Sequence, residues 1–548
     1  MIRRRIRQLA WFIATVALVL FSVPVMALMD SVGENGIHAH QLHQPPLNLT
    51  GRKIAIGQIE IGRPAQFGLD KAGATNRSVR PNRLFFRDAP AEANSLVDSH
   101  AARVASILIS RDKTLTGVAP EATLYASAVG AESRSEQPEE CLAAQTVSLQ
   151  NGGDVRAINY SFGESLMRDP RDNPVLDGNA LLTQCVDWLA RTNNVLQVIA
   201  GNQGRGGFPI PTDSFNGMII ANSMRVGGEF RKVDYFSLGS EPEVVIGRDP
   251  ATESNVGPRR SVALLAPGSD IQTLTPNGTA APADSGTSFA TPHVVATVAL
   301  LQEFGDRSIR QALESKQTPE VSHWGLDARR QEVMKAVLMN SADKLQDQGD
   351  GLNLGMTRTV LTQRNRTWLD SDAHQSTRLP LDAQMGTGHL NAFRAYEQFR
   401  PGQWRPDQET PAIGWDYRAV SAAPSANTSK YQDYVFADPL QGGSFIAATL
   451  TWNRLVELQD RNANGQYDIG ETFRDRGLNN LDMYLMRAED TDSRNRIWAS
   501  DSQVDSVEHL FHQIPETGRY KIRVVYRDQI NEPVQPYALA WWAMPNRG

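Results

Sequence analysis

A ten-residue string around Ser288 offers the clearest chemistry in the sequence. It runs from Asp284 to His293 and reads Asp-Ser-Gly-Thr-Ser-Phe-Ala-Thr-Pro-His, and an apolar helical pattern follows it. A serine at the start of a helix lies in a field that favours developing negative charge, so Ser288 could serve as a nucleophile. Gly-Thr-Ser alone is also a common helix start, so this interpretation depends on further motifs elsewhere in the chain.

The whole string resembles the nucleophile motif of the subtilisin-like serine proteases, the subtilases. A nucleophilic serine needs a base within hydrogen-bond reach, and the base needs an acid that orients it. Subtilases carry the three groups in the chain order acid, histidine, serine. The resemblance therefore predicts both partners upstream of Ser288.

The segment from Asp98 to Ser106 is similar to the histidine motif of the family, and it is followed by the Gly-Val-Ala-Pro sequence that the family also carries. The resemblance implies that His100 is the base. The family has Gly-Thr-His after this histidine, whereas this chain has Ala-Ala-Arg. Arg103 therefore adds bulk and charge near the base and could alter the pocket.

Glu60 stands where the family has its catalytic aspartate, at the end of the first strand in Ile-Gly-Gln-Ile-Glu-Ile-Gly. Glutamate has the same charge on one more methylene, and it orients the histidine in some other triads. The resemblance implies that Glu60 is the orienting acid. The alternative is that Glu60 only ends the strand and that Asp70 or Asp98 takes this role.

Two further segments resemble parts of a subtilase active site. Asn202 ends a strand in Ala-Gly-Asn, which implies that its amide donates to the oxyanion together with the backbone N–H of Ser288. Ser161, Phe162 and Gly163 resemble the strand edge that pairs with the substrate backbone.

Short apolar strands alternate with helical patterns from residue 51 to about 400, which predicts a parallel sheet with helices on both faces. The strands are predicted in the following segments: Lys53–Ile61, Thr123–Val129, Arg156–Ser161, Val195–Ala200 and Gly217–Ala221. Resemblances at 266–268 and 386–392 extend the match. The predicted fold is therefore α/β and subtilisin-like over residues 51–400.

The pattern changes after a Pro-, Ser- and Ala-containing stretch at 401–429, which is interpreted as a linker. Residues 430–548 contain alternating apolar and polar segments and no helical pattern, which predicts a smaller all-β, jelly-roll-like sandwich. This module resembles the C-terminal β-sandwich of many bacterial subtilases.

A twelve-residue segment of the second domain has the oxygen pattern of a calcium loop. Oxygen ligands are predicted from six residues: Asp460, Asn462, Asn464, Gln466, Asp468 and Glu471. Gly465 occupies the position where such a loop turns sharply, and Gln466 would use its backbone carbonyl. The alternative is a hairpin tip that binds no metal. Because paired flanking helices are not predicted, we expect structural Ca²⁺ between strands.

The first 27 residues have the layout of a signal peptide, with arginines at 3–7, an apolar run and Val-Met-Ala before a predicted cleavage site. An uncleaved anchor is the alternative. Residues 28–50 are interpreted as a flexible lead, too short for a folded prodomain. We therefore expect a secreted or periplasmic protein without stable membrane insertion.

The chain of 548 residues has 41% apolar and 21% charged residues and a net charge of −6. Without the four arginines of the signal, 51 basic residues remain against 61 acidic ones, a charge of about −10. This sign disfavours a nucleic-acid partner. The two cysteines, Cys141 and Cys185, are compatible with one disulfide or with two separate buried thiols.

The sequence thus predicts an exported, monomeric serine endopeptidase that acts on proteins or peptides through an acyl-enzyme, without a catalytic cofactor. The alternative is a subtilase fold of weak or no activity that serves as a binding or scaffold protein. The Glu60 exchange, the Ala-Ala-Arg sequence after His100 and the missing prodomain favour this alternative, whereas the intact Ser288, His100 and Asn202 argue against it.

Overall fold

A computed structural model describes residues 26–71, 77–130, 136–202, 209–233, 256–315, 323–424 and 429–546. The predicted signal peptide, residues 1–27, lies almost entirely outside the described residues. Within these ranges, no helix is both long enough and apolar enough to cross a membrane.

The first domain is α/β. Its strands, in chain order, are β1 (Met26–Ala27), β2 (Ala55–Glu60), β3 (Arg83–Phe86), β4 (Ala89–Pro90), β5 (Thr123–Ala128), β6 (Val155–Tyr160), β7 (Glu164–Ser165), β8 (Leu196–Ala200), β9 (Pro209–Ile210), β10 (Met218–Val226), β11 (Glu229–Lys232), β12 (Val262–Pro267), β13 (Ile271–Gln272) and β14 (Val360–Leu361). Its helices are α1 (Leu28–Val32), α2 (Ala39–His43), α3 (Ser99–Ile109), α4 (Gln137–Ser148), α5 (Gln150–Gly153), α6 (Leu181–Thr192), α7 (Thr287–Glu314), α8 (Gln331–Asn340), α9 (Asp372–Gln375) and α10 (Ala392–Phe399). Three 3-10 turns lie at Leu166–Arg168, Leu326–Arg329 and Trp368–Asp370.

The central sheet has the order β14-β11-β10-β8-β6-β2-β5-β3-β4, and β12 also pairs with β10. The strands from β10 to β3 in this order all run parallel. In a parallel sheet the residues that follow the carboxyl ends of neighbouring strands meet at one edge. This edge collects the ends of β2, β6 and β8, which the sequence predicted as strands.

Helices cover both faces of the sheet and form two apolar cores. One core contains residues of α3, α7, α8 and α10, and the other contains residues of α4 and α6. A disulfide joins Cys141 of α4 to Cys185 of α6, 44 residues apart. The predicted parallel sheet with helices on both faces is confirmed.

The second domain is a sandwich of two antiparallel four-stranded sheets, ordered β15-β24-β17-β22 and β16-β23-β20-β21. Its strands are β15 (Ile413–Ser421), β16 (Tyr431–Val435), β17 (Phe445–Trp452), β18 (Val456–Gln459), β19 (Thr472–Asp475), β20 (Asn480–Arg487), β21 (Trp498–Ser500), β22 (Val507–Gln513), β23 (Tyr520–Asp528) and β24 (Val534–Ala543), with a 3-10 turn at Ser493–Asn495. The predicted all-β second domain is confirmed.

The predicted flexible lead at residues 28–50 is wrong, because this segment is folded against the α/β domain. It forms α1 and α2, and Leu28 and Leu42 are fully buried. The hydroxyl of Ser31 lies 2.9 Å from Nε2 of His293, in the helix that begins at Ser288. The apolar residues of this segment are separated by polar residues, histidines and prolines. They therefore form no regular pattern that would predict folded structure.

The predicted linker at residues 401–429 is also wrong in its central part. Strand β15 pairs with β24 over nine residues, from Ile413 opposite Trp542 to Ser421 opposite Val534. Prolines lie on both sides of this strand, and such a composition is typical of an unstructured connection.

The sandwich is docked firmly on the α/β domain. Arg454 forms a buried ion pair with Asp187 of α6, with 2.6 Å between Nη2 and Oδ2. The side-chain amide of Gln398 in α10 donates to the carbonyl of Trp541. Helix α8 packs on β17 and β24. The two domains therefore share an extensive interface.

Candidate active site

Glu60 is the last residue of β2, in the middle of the parallel sheet. Its side chain is buried, and its Oε2 lies 3.2 Å from Nδ1 of His100. The backbone carbonyl of Glu60 accepts from the N–H of Val129, which holds the strand end in place. The structure therefore brings together the two residues that the sequence proposes as acid and base.

His100 lies in the first turn of α3. Asp98 caps this helix by accepting from the N–H of Ala101 at 2.8 Å. The imidazole is 40% exposed, so its outer face is open to a ligand. Its ring centre lies 5.7 Å from that of Phe289, the residue after Ser288. The base thus lies beside the start of α7.

Burial and charge act against each other in this pair. Burial raises the pKa of Glu60, and the nearby His100 only partly offsets this effect. Burial lowers the pKa of His100, but the charge of Glu60 and its hydrogen bond outweigh burial, so the pKa of His100 is raised. The neighbouring carboxylate therefore favours the imidazolium form, which a general base must reach in the transition state.

The two alternative acids serve other purposes. Asp70 is buried in a bidentate ion pair with Arg63, with both N–O distances at 2.7 Å. Burial acts to raise the pKa of Asp70, but Arg63 and the backbone N–H groups of Gln66 and Asn94 outweigh it, so the pKa is lowered. Asp98 is occupied as the cap of α3. Glu60 is therefore the acid that contacts the imidazole.

Ser288 is the second residue of α7. Its Oγ donates to the carbonyl of Ser161 at 3.2 Å, and the Ser161 hydroxyl donates to the carbonyl of Ser288 at 2.8 Å. These two bonds join the nucleophile candidate to the end of β6. In the part of the chain described, no hydrogen bond links Ser288 to His100, and such bonds often form only when substrate is bound.

Asn202 follows the end of β8, next to the start of α7. The hydroxyl of Thr287 donates to the carbonyl of Gly201 at 2.8 Å. The N–H of Gly201 in turn donates to the carbonyl of Ile220. These contacts hold the residue directly before Ser288 against the residue directly before Asn202, so the end of β8 and the start of α7 meet at this point.

The segment Ser161–Gly163 continues from β6 beyond its last paired residue. The hydroxyl of Ser161 accepts from Asn159, and the ring of Phe162 packs on Tyr160. A Cβ atom at Gly163 would lie only 2.5 Å from the Cβ of Pro209, so a larger residue would require a shift. Within the described chain no strand pairs with these three residues, and Ser161 and Phe162 are buried while Gly163 is partly exposed.

Arg103, one turn after His100, does not extend freely into the site. Its guanidinium donates to the hydroxyl of Thr273, to the carbonyl of Pro282 and to Asp284 at 2.7 Å. It also lies over the ring of Phe289 at 5.1 Å. Arg103 therefore fastens the helix of His100 to the loop that precedes Ser288.

Comparison with known sequences decides the family. The model of the subtilase family (peptidase S8) matches residues 50–356, which is more than half of the chain. The chain belongs to the subtilase family. It is similar to subtilisin NAT of Bacillus subtilis subsp. natto, with 30% identity over 300 residues that cover 52% of this chain and 65% of the relative. Subtilisin of Bacillus pumilus is 28% identical over 300 residues, which cover 52% of this chain and 90% of that protein. The matched region is less than two thirds of the length of subtilisin NAT.

Two solved structures share weaker likeness with this subtilase. The prenylagaramide maturation protease PagA has a TM-score of 0.38 and 21% identity, covering 63% of this chain and 92% of its own. The self-cleaved protease domain of PatA also has a TM-score of 0.38, with 22% identity, and covers 65% of this chain and 100% of its own.

The loop Asp460–Glu471 connects β18 and β19. Oδ2 of Asp468 accepts from the amides of Asn462 and Asn464 at 2.7 and 2.8 Å, so three of the predicted ligands meet at one point. Asp460 accepts from the N–H of Gly465, whose φ is 73°. These contacts give the turn that the twelve-residue pattern predicts.

The other predicted ligands also face the loop. Glu471 accepts from the N–H groups of Arg461 and Asp468, and the N–H of Gln466 donates to Asn464. Among the residues with described placement, no three His, Cys, Asp or Glu side chains are gathered tightly enough to hold a metal ion. The carboxylates of Asp460 and Glu471 thus accept from backbone N–H groups, and that of Asp468 accepts from two side-chain amides, so cation binding would require these side chains to turn.

Sequence reasoning missed several contacts that shape the site. Gln58 donates to Glu60, and Ser31 contacts His293 behind the start of α7. Gln58 carried a visible signal, because it is a polar residue inside an otherwise apolar strand two positions before the acid. Ser31 carried none, because its role depends on the folding of a segment without periodicity.

Proposed function

We propose that this subtilase is an exported serine endopeptidase that cleaves peptide bonds through an acyl-enzyme, with Ser288 as the nucleophile. The observation that supports this most directly is the contact between Glu60 and His100 at the carboxyl edge of the sheet. A buried carboxylate on one imidazole nitrogen, with the other face of the ring exposed beside Ser288, is the arrangement that a general base requires.

In the proposed reaction His100 accepts the hydroxyl proton of Ser288 as the oxygen attacks the scissile carbonyl carbon. Glu60 holds the proton on Nδ1, so that Nε2 is free to act as base, and it stabilises the imidazolium that forms. His100 then returns the proton to the leaving amine, and the acyl-enzyme remains on Ser288. Water, activated by the same imidazole, releases the second product.

The tetrahedral intermediates carry a negative oxygen that needs fixed donors. The side-chain amide of Asn202 and the backbone N–H of Ser288, at the start of α7, are the proposed pair. The bond from Thr287 to the carbonyl of Gly201 supports this arrangement, because it holds the backbone that carries Asn202 against the start of α7. The Asn202 side chain is 5% exposed, so its bond to an oxyanion would be shielded from water.

The substrate backbone is proposed to pair with Ser161, Phe162 and Gly163 as an added strand. The carbonyl of Ser161 contacts the Ser288 hydroxyl, so a peptide on this edge passes directly over the nucleophile. A side chain at position 163 would meet Pro209, so the glycine is expected to be needed where the peptide would lie.

Export is proposed from the signal-like pattern of residues 1–27 and from the disulfide between Cys141 and Cys185. Disulfides form and persist in oxidising compartments such as the periplasm and the extracellular space. A secreted or periplasmic location is consistent with both features.

We also propose that the loop Asp460–Glu471 binds one Ca²⁺ with a structural role. Calcium takes oxygen ligands from carboxylates, amides and carbonyls, and the loop offers all three. In support of this proposal, the side-chain amides of Asn462 and Asn464 both donate to Oδ2 of Asp468, so the three side chains lie close together. The catalytic steps above do not involve this ion.

Labelling with a fluorophosphonate probe tests the proposed function, because such probes react with activated serines. We expect an adduct on Ser288, located by peptide mass spectrometry. Ser285 is the matched control: it lies in the same motif, and its hydroxyl accepts from the N–H of Asp270. A folded protein that gives no Ser288 adduct, or equal labelling of Ser285, would support the scaffold alternative instead.

A further inference from the structure

Gln58 is a fully buried glutamine on the same face of β2 as Glu60, two residues earlier. Ile56, the next residue on this face, is apolar and also fully buried. A buried amide costs free energy unless its polar atoms are hydrogen-bonded, whereas an apolar side chain of similar size would fill the space without that cost. A buried amide at this position is therefore expected to do more than fill space in the core.

The side-chain amide of Gln58 donates to the acid of the proposed triad and to the backbone beside its base. Nε2 lies 2.9 Å from the carbonyl oxygen of Ala101, the residue after His100, and 3.4 Å from Oε1 of Glu60. Its Oε1 has no hydrogen-bond partner within the described chain. Turning the amide over would place this oxygen against two acceptors, so the network fixes its orientation.

We propose that Gln58 is a positioning residue that holds the Glu60 carboxylate in the plane that faces His100. The two carboxylate oxygens have separate partners: Oε2 contacts His100, and Oε1 accepts from Gln58. Among the described residues, no other hydrogen bond restrains this carboxylate. Glutamate has one more rotatable bond than aspartate, so the longer acid needs a restraint that a shorter side chain does not.

The same amide joins the acid to the base. Through Ala101 it binds the first turn of α3, and through Glu60 it binds the end of β2. One side chain thus fixes the distance between the strand that carries the acid and the helix that carries His100. Errors of about 1 Å in such a geometry can lower a rate roughly 100-fold.

The charges around Glu60 predict the direction in which the pH–rate profile should move when Gln58 is replaced. The titratable groups that act on Glu60 are His100, in the first turn of α3, and Asp98, which caps that helix. Burial raises the pKa of Glu60, and the donor from Gln58 acts in the opposite direction. Without this donor the carboxyl takes up a proton at higher pH, so the acid limb of the pH–rate profile should move to higher pH.

The first test is Gln58→Met, which keeps an unbranched side chain of similar length but has no donor. This inference rests on the proposed function, so the parent must first show Ser288 labelling. We expect kcat on a peptide substrate to fall about 10- to 100-fold, KM to change little, and the acid limb to shift upward. An unchanged profile with an unchanged kcat would refute the role of Gln58 and leave the proposed function intact.

A double-mutant cycle separates positioning from simple packing. If Gln58 acts through Glu60, Gln58→Met should have little further effect on the labelling rate of Ser288 once Glu60→Gln is present. Additive losses would show that Gln58 only stabilises the sheet.

Gln197→Met is the matched control for loss of a buried amide. Gln197 is fully buried in β8, and its Oε1 accepts from the hydroxyl of Tyr160. We expect this variant to be less stable than the parent, while its acid limb stays in place. An equal shift of the acid limb in Gln197→Met would mean that any loosening of the sheet moves the profile, and the inference would fail.

Discussion

Nδ1 of His100 lies 3.2 Å from Oε2 of Glu60, although the subtilase pattern has the shorter aspartate at the end of this strand. The end of β2 is held in register with β5, where Glu60 lies opposite Ala128. The longer side chain therefore reaches its partner from a fully paired strand. Its position is set by packing and by Gln58 rather than by a short tether to the backbone.

Replacing Glu60 with glutamine should lower kcat by roughly 10⁴-fold without unfolding the protein, because the amide can hold the imidazole in the wrong tautomer. The charge of Glu60 raises the pKa of His100, so its removal should shift the acid limb of the pH–rate profile to lower pH. This direction is opposite to the shift expected for Gln58→Met. Steady-state kinetics across pH would check both.

Glu60→Asp restores the residue type of the family but shortens the side chain by one methylene. We expect activity between that of the parent and that of Glu60→Gln, since the charge remains while the contact with His100 lengthens. Asp70→Asn is the control, because Asp70 pairs with Arg63 away from the imidazole. If a folded Asp70→Asn variant lost most of its activity while Glu60→Gln had only a mild effect, the assignment of Glu60 as the acid would be wrong.

Ser288→Ala should abolish peptide hydrolysis, a loss of up to roughly a million-fold in kcat for a triad nucleophile. The fold should persist, because within the described residues the hydroxyl donates a single hydrogen bond, at 3.2 Å, to the carbonyl of Ser161. Circular dichroism and a thermal melt would establish folding, and hydrolysis of a chromogenic peptide would measure activity. Substantial residual hydrolysis by a clean preparation would rule out this nucleophile.

The parallel sheet could be predicted from sequence because buried parallel strands are short continuous apolar runs. Strands β2, β5, β6 and β8 were therefore predicted within about two residues of their observed bounds. The positions of Ser288 and His100 followed from local motifs. The distance between Glu60 and His100 could not be predicted from local sequence, because it depends on how α3 packs beside the end of β2.

Other features depend on tertiary contacts that no local pattern encodes. Asp416 lies in the segment interpreted as a linker, yet it is buried and accepts from the hydroxyl of Tyr434. Burial raises the pKa of Asp416 to about 7. A polar residue at a fully buried strand position breaks the alternation on which strand prediction depends, so β15 was missed.

The docking of the sandwich predicts a large stability effect at Arg454. Its guanidinium contacts Asp187 and the carbonyl of Gly178, and it is 1% exposed. Arg454→Met would leave Asp187 buried without its cation, which typically costs about 3–5 kcal/mol. Arg476→Met is the matched control, because its ion pair with Glu457 is exposed and should be worth less than about 1 kcal/mol.

Chemical denaturation of both variants in the Ser288→Ala background, which avoids self-digestion, would measure the free energy of unfolding. We expect Arg454→Met to lower it well beyond Arg476→Met. Equal, small losses would mean that the buried pair contributes little and that the other contacts of the interface hold the sandwich in place.

The calcium proposal must be tested on the full chain rather than on an isolated second domain. Tyr467 of the loop exchanges two hydrogen bonds with Gln145 of α4, and Phe473 packs on Trp188 of α6. A fragment of residues 430–548 would lose these contacts and β15. Loosening of the loop should therefore weaken the attachment of the sandwich to the α/β domain.

We expect chelation to lower the melting temperature of the Ser288→Ala protein and added Ca²⁺ to restore it, because a ligand at a hundredfold excess over Kd stabilises the native state by about 2.7 kcal/mol. Glu471→Gln should remove most of this response, since it weakens the ligand expected to bind with both oxygens. Calorimetric titration should show one fewer bound ion than in the parent. Glu457→Gln, on the neighbouring strand β18, is the control and should retain the full response. If Ca²⁺ changes the melting temperature of Glu471→Gln and Glu457→Gln alike, the loop is a hairpin that binds no metal. Its carboxylates would then be stabilised by the hydrogen bonds within the loop.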